Sequence, residues 1–433
     1  MKMTFSHAWR ALRNRNFRLY FLGQSISLIG TWMTRLATSW LVFRLTHSAL
    51  LLGLVSFSGQ FIAFVFGPVA GVWVERLNRR RLLVWTQVAA AVQSLAMAAL
   101  ALAHVITLWE IVGLAALQGL INAFDMPGRQ AFLVQMVEDR NDLGNAIAIN
   151  SSMANTARLI GPAIAGLMIA AVGEGWCFLI DGISYFAVIA SLLMMRINVE
   201  EVRRRGNGML GEMREGWHYV RTFVPIRTVL LFFAVLSLLG YPCIVLLPVF
   251  AGQVLQGDAH TLGWLSAAGG GGALVSGISL ALRKSAVDLA PVIQRAGIIL
   301  STALIFFGLS HIFWLSLASM VFIGFGLTQC ASASNAMIQS LAADDMRARV
   351  MSYYMMAFFG AAPCGSLLAG MLAHQVGPPR AILCTGAGCL VGSLWFGWQL
   401  PNLRASVQPI YRTAALAPDH NAIGTSEVRK SVA

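Results

Sequence analysis

LLGLVSFSGQFIAFVFGPVAGVWVERLNRRRLLVWTQVAAAVQSLAMAALALA, residues 51–103, is two apolar runs joined by a short polar stretch at 75–81. Each run is about 20 residues long, the length a helix needs to cross roughly 30 Å of hydrocarbon. In lipid a helix satisfies its own backbone N–H and C=O groups, which an open strand does not, so both runs are read as membrane helices. Arg76, Arg79, Arg80 and Arg81 crowd the loop between them. Short loops rich in Lys and Arg stay in the cytoplasm, so this loop also sets the orientation.

The same pattern repeats along the chain. Its 433 residues are 57% hydrophobic and 11% charged, too apolar for one soluble core to hide. Spans are predicted at 17–45, 50–74, 82–104, 107–128, 144–171, 176–196, 225–250, 261–283, 290–311, 314–337, 350–375 and 380–400. Arg129, Arg140, Arg283, Lys284, Arg347, Arg349 and Arg404 then share one side with the first loop, while the other side holds little beyond Arg44 and Arg380. Both termini are therefore expected in the cytoplasm. The net charge of +13 is spread between apolar runs instead of gathered on one face, which argues against nucleic acid as a partner. The six cysteines fall within apolar segments with no metal-ligand spacing, so neither a metal nor a cofactor is expected.

Residues 198–224 form the longest polar stretch between spans and are read as a linker, with a surface helix from 209 to 220. Leu52, Gly53, Ser56, Gly59 and Gly67 recur as Leu262, Gly263, Ser266, Gly269 and Gly277 at a constant offset, which points to duplicated halves. The expected architecture is an all-α membrane protein of twelve transmembrane helices in two pseudo-symmetric six-helix bundles. They occupy 1–197 and 225–400, followed by a polar, disordered tail at 401–433.

Gly71-x-x-x-Glu75-Arg76-x-Asn78-Arg79-Arg80 resembles the signature loop of major facilitator transporters, with Glu75 and Asn78 where that family usually has Asp and Gly. Glu keeps the charge, and Asn is the next residue after Gly to tolerate a left-handed turn. The arginines act as a conformational latch in this reading, with Glu75 set against the positive end of span eleven near Ser352; fixing topology alone is the other. AFDMPGRQAFLVQMV (123–137), GTWMTRLATSWLVFRLT (30–46) and residues 143–193 and 344–377 resemble one branch of the superfamily. That branch includes the bacterial enterobactin exporter and its transmembrane secretion effector relatives. The resemblance implies a monomeric carrier in the bacterial inner membrane that moves a small molecule outward, driven by an ion gradient, with protons the expected ion. Gly161-Pro162-x-x-x-Gly166 is similar to the core of the antiporter motif of drug exporters; it can pivot, or simply pack tightly.

Charged groups at membrane depth cost about 2.5 to 3.5 kcal/mol each on insertion scales and mark functional positions. Arg35 in span one either faces a central cavity and binds an anionic or polar substrate group, or snorkels outward. Asp125 and Asp181 are the carboxyls shielded enough to carry a proton. Asp125 is also spaced to pair with Arg129, and Asp181 either pairs with Arg158 or caps a local kink. Gln24, Gln60, Asn122, Asn150 and Asn155 are candidates to line the path, or to join helices. Siderophore or drug export is the leading function. Uptake, lipid flipping and a non-transporting receptor or assembly role stay open, whereas an enzyme is excluded by the lack of any paired catalytic groups.

Overall fold

A computed structural model describes residues 10–137, 140–196, 209–283, 289–343 and 346–416; within helices the side chains of Glu75 and Arg76 lie outside the described set. The described residues form helices and short turns throughout. In chain order they are α1 (Arg15–Thr46), α2 (Ala49–Arg76), α3 (Arg79–Leu102), α4 (Leu108–Met136), α5 (Arg140–Val172) and α6 (Glu174–Met194). After these come α7 (Met209–Thr222), α8 (Val224–Leu239), α9 (Pro242–Val249), α10 (Ala259–Ala281), α11 (Ala290–Leu309), α12 (Phe313–Leu341), α13 (Arg347–Val376) and α14 (Pro378–Leu416). Ten of the described helical stretches are long and apolar enough to cross a membrane, counting α8 through the turn after α9 as one. α1 and α4 have the length, at 32 and 29 residues, but carry more polar side chains, Arg35 and Asp125 among them.

Caps set the boundaries. Asn14 accepts from the N–H groups of Asn16 and Phe17 to start α1, and His47, at φ 48°, ends it. Ser48 caps α2, and Thr107 with Glu110 forms a capping box on α4. Asn78 corrects the expectation of a left-handed turn: its backbone is extended, at φ −64° and ψ 107°. Its side chain caps α3 at the Arg81 N–H, because the first turn of a helix needs an acceptor there.

The chain divides into two compact units that do not follow the linear halves. One comprises Met1–Arg203 with Val245–Gly270, the other Arg204–Ile244 with Gly271–Ala433. In the first, α1 packs on α5 and α6, α3 on α4 and α6, and α2 on α4. α2 and α4 cross backbone to backbone where Gly59 meets Gly119. Asn16 ties the ends of this set together, donating to the Arg196 carbonyl at 3.0 Å and accepting its N–H at 3.1 Å. Val245–Gly270 joins this unit because its glycines admit close neighbours. Gly252 lies under the Phe43 ring, and Gly263 meets Gly166.

The second unit repeats the pairing: α8 packs on α13 and α14, and α11 on α12 and α14. Span seven, expected as one helix at 225–250, is broken. Pro242 has no N–H to give the Leu238 carbonyl, and that carbonyl points at Gly365 of α13, where the missing side chain leaves room. Pro248 disturbs the next turns, and the backbone widens to a π-helix over Phe250–Val254. α7, the expected surface helix, docks on α13 through Glu215 with Arg349 at 2.5 Å and the rings of Trp217 and Tyr353 at 5.8 Å. The expected disorder from 401 needs correction as well. α14 runs on to Leu416 because Leu403 and Val407, one turn apart, are both buried; residues 417–433 lie outside the described set.

Candidate functional site

The charged candidates of the first unit fall into three groups. Asp125 and Arg129 sit one turn apart on α4, and their carboxylate and guanidinium meet twice, at 3.0 and 2.5 Å. From α3, Thr86 Oγ1 and Gln87 Nε2 donate to the other carboxylate oxygen at 2.9 and 2.7 Å. Arg129 also reaches the Tyr20 hydroxyl of α1, and that hydroxyl donates to Asn150 Oδ1 of α5 at 3.2 Å. Four helices are thus joined by one buried polar chain. An ion pair with this many hydrogen bonds recovers much of what burial costs.

Asp181 of α6 is 1% exposed. The hydroxyls of Thr31, Thr34, Ser94 and Tyr185 surround it, of which Ser94 donates to Oδ2 at 3.1 Å. Oδ1 fills the space beside Gly30, where a Cβ would stand 2.8 Å away, and accepts no hydrogen bond among the described residues. The two acidic candidates therefore differ: Asp125 is held by a cation, whereas Asp181 rests among neutral hydroxyls.

Arg158, considered as a partner for Asp181, reaches α1. Its guanidinium carbon lies 5.0 Å from the centre of the Trp32 ring, and that of Arg35 lies 4.8 Å from the same centre. Each such contact is worth about 0.5 to 2 kcal/mol. Gly161 makes the approach possible, since a Cβ there would stand 2.6 Å from that of Trp32. Arg35 is exposed, and Arg158 and Asn155 are half-buried. Along α5 the hydroxyl residues Ser151, Ser152 and Thr156 are exposed as well, a polar face at membrane depth that suits water better than lipid.

The remaining candidates are dispersed. Gln24 is buried inside the bundle, Gln60 bonds Ser56 one turn back at 2.7 Å, and Asn122 accepts from Gln118 at 3.2 Å. In the signature loop, Arg80 donates to the carbonyls of Leu192 and Leu193 at 2.8 and 2.6 Å, a cation on the C-terminal end of α6. Gly71 and Gly67 have nothing within 4 Å of where a Cβ would be. Pro162 is buried in an unbroken α5, and Gly166 lies on a different partner from Gly161, the backbone of α10 at Gly263.

Sequence reasoning missed Trp32, Tyr20, Thr86 and Gln87. Only Trp32 left a signal, standing one helical turn before Arg35. It also missed an aromatic group in the second unit, where Phe233 stacks on Tyr354 at 4.6 Å and Tyr241 meets Phe358 edge-on at 5.5 Å.

The chain has recognisable relatives. It is 23% identical over 379 residues to the staphyloferrin A transporter of Staphylococcus aureus, covering 87% of this chain and 94% of that protein. With the multidrug efflux pump Tap of Mycolicibacterium fortuitum it shares 26% over 356 residues, 80% of this chain and 87% of the relative. Macrolide efflux protein A of Streptococcus pyogenes is 21% identical over 376 residues, 86% and 92% of the two chains. Among solved structures, a POT family transporter in complex with 5-aminolevulinic acid superposes with a TM-score of 0.72 at 13% identity over 90% of this chain and 97% of that one. An inward-facing bacterial homologue of the human lysosomal transporter Spinster gives 0.70 at 12% over 92% and 98%. These likenesses show the fold, two six-helix bundles of the major facilitator type. The transmembrane secretion effector family matches residues 6–416, and the chain belongs to it: a multi-pass membrane transporter of the major facilitator superfamily, not an enzyme.

Proposed function

We propose that this transporter exports a small molecule across the bacterial inner membrane by alternating access, driven by protons, with both termini in the cytoplasm. The observation that carries the reading is the change of character along α5. Exposed hydroxyls at Ser151, Ser152 and Thr156 line its inner part, and farther out Gly166 meets the backbone of α10 with no side chain between them. A polar path that ends in a bare backbone contact is a gate that closes without side-chain rearrangement. Rocking of residues 1–197 against 225–400 parts α5 from α10. The open space at Gly71 and the cations Arg79 and Arg80 then serve the inner closure, with Gly161 and Pro162 the pivot. Relatives named as efflux pumps support the outward direction.

Coupling falls to Asp181 in this reading. Asp125 is engaged by Arg129, and a carboxylate fixed to a permanent cation is a poor carrier of a proton that must come and go. Asp181→Asn keeps the shape and the hydroxyl contacts but has no proton to exchange. In proteoliposomes the variant is expected to bind substrate and to catalyse downhill exchange, and to lose accumulation driven by a pH step. A variant that still concentrates substrate on a pH step removes Asp181 from the mechanism. Accumulation in right-side-out but not in inverted vesicles would favour uptake over export.

A further inference from the structure

The surface helix α7 has two faces of opposite character. On one, Gly216 lies against Arg349 and Tyr353 of α13, Glu215 pairs with Arg349, and the Tyr219 hydroxyl accepts the Ala343 N–H at 3.3 Å. On the other, Arg214, Trp217, His218 and Arg221 follow the i, i+3, i+4, i+7 spacing of a single helical stripe, and all four are exposed. Trp217 keeps 54% of its surface open beside its contact with Tyr353.

The stripe ends where the membrane begins. Phe223 alone separates α7 from α8, and residues 224–254 are long and apolar enough to cross a bilayer. Val224, Arg227 and Leu231 are exposed at helical spacing along α8, which places one guanidinium on an apolar stripe suited to lipid. Arg227 bends back to donate from Nη1 to the Arg221 carbonyl at 3.1 Å, the snorkelling by which such a side chain reaches headgroup level. Arg221 is therefore at that level too, one turn from Trp217, a ring suited to the interface. Glu215 is engaged by Arg349, and Arg214 and Arg221 form no ion pair among the described residues. A basic, aromatic helix face at a bilayer surface calls for negative charge from the lipid.

We infer that this stripe docks an anionic phospholipid, with the headgroup phosphate between Arg221 and Arg227 and Trp217 beside it. Guanidinium N–H groups match phosphate oxygens. The lipid and α13 then hold α7 from opposite sides. Docking depends neither on the substrate nor on the direction of transport.

The test uses the full-length protein in phosphatidylcholine nanodiscs containing phosphatidylglycerol with brominated chains, or phosphatidylcholine with the same brominated chains at equal mole fraction. Bromine quenches nearby tryptophan, and subtracting the Trp217→Phe protein isolates the signal of Trp217 from that of the other tryptophans. Trp217 is expected to be quenched at a lower fraction of the brominated anionic lipid than of the neutral one. Arg221→Gln and Arg227→Gln, each with its own Trp217→Phe background, are expected to raise the fraction needed roughly fivefold per arginine, and the lysine variants less, because the charge stays. If Arg227→Gln loses the bond to α7 and unfolds, Arg214→Gln with Arg221→Gln carries the result, since both are exposed. Equal quenching by the two lipids, or an anionic preference that survives Arg221→Gln with Arg227→Gln or with Arg214→Gln, overturns the assignment. Trp217 quenched by neither lipid also overturns it and leaves the face to an acidic protein.

Discussion

Asp125→Ala is expected to remove about 3 to 5 kcal/mol of stability, the cost of leaving one member of a buried ion pair without the other. Arg129 loses two bonds at 3.0 and 2.5 Å, and Thr86 and Gln87 lose their shared acceptor. The thermal unfolding midpoint in detergent should fall sharply. The double variant Asp125→Leu with Arg129→Leu removes both charges and is expected to recover most of the loss. Recovery stays incomplete because Thr86, Gln87 and Tyr20 each keep a polar group to satisfy, at about 1 kcal/mol apiece. If the single and the double variants unfold together, the ion pair is not what holds α3 and α4 at this level.

Gly166→Val should leave the protein folded and nearly stop transport. A Cβ at 166 would stand 2.9 Å from both the Ala259 carbonyl oxygen and the Gly263 Cα, backbone atoms that do not swing aside. Overpacking of this kind costs about 1 to 3 kcal/mol, and here the whole cost falls on the state in which α5 and α10 touch. That state then becomes roughly 5- to 150-fold rarer, and turnover should fall by a similar factor with a small change in melting. Two neighbours calibrate the result. Gly161→Val strikes Trp32 within the bundle and should lower stability, whereas Gly67→Ala meets nothing within 4 Å and should be silent. Wild-type turnover in Gly166→Val would show that the α5–α10 contact is not a gate.

The spans were legible because lipid leaves so few choices: an apolar run of sufficient length has to be a helix. Their ends were harder to read, since a helix does not stop where the hydrocarbon does. α4 runs to Met136, not 128, carrying Arg129 one turn past Asp125, and α14 continues to Leu416 on the buried pair Leu403 and Val407. Asp125 with Arg129 was visible from spacing on one helix. Thr86, Gln87 and Tyr20 were not, because hydropathy says which residues share a helix and nothing about which helices are neighbours. Arg158 shows the same limit. Its charge pointed to Asp181, yet the close approach allowed by Gly161 brings it to Trp32, and a glycine in sequence does not say which helix it admits. The break in span seven had its proline in plain view, but it needed Gly365 on a helix far along the chain to be tolerated.

Asn16 and Arg196 splice the first and sixth helices into a closed circuit, so the order in which these helices are strung is not what keeps them together. A gene reopened in the 103–107 turn, with the old ends fused, would encode the same cassette under new termini.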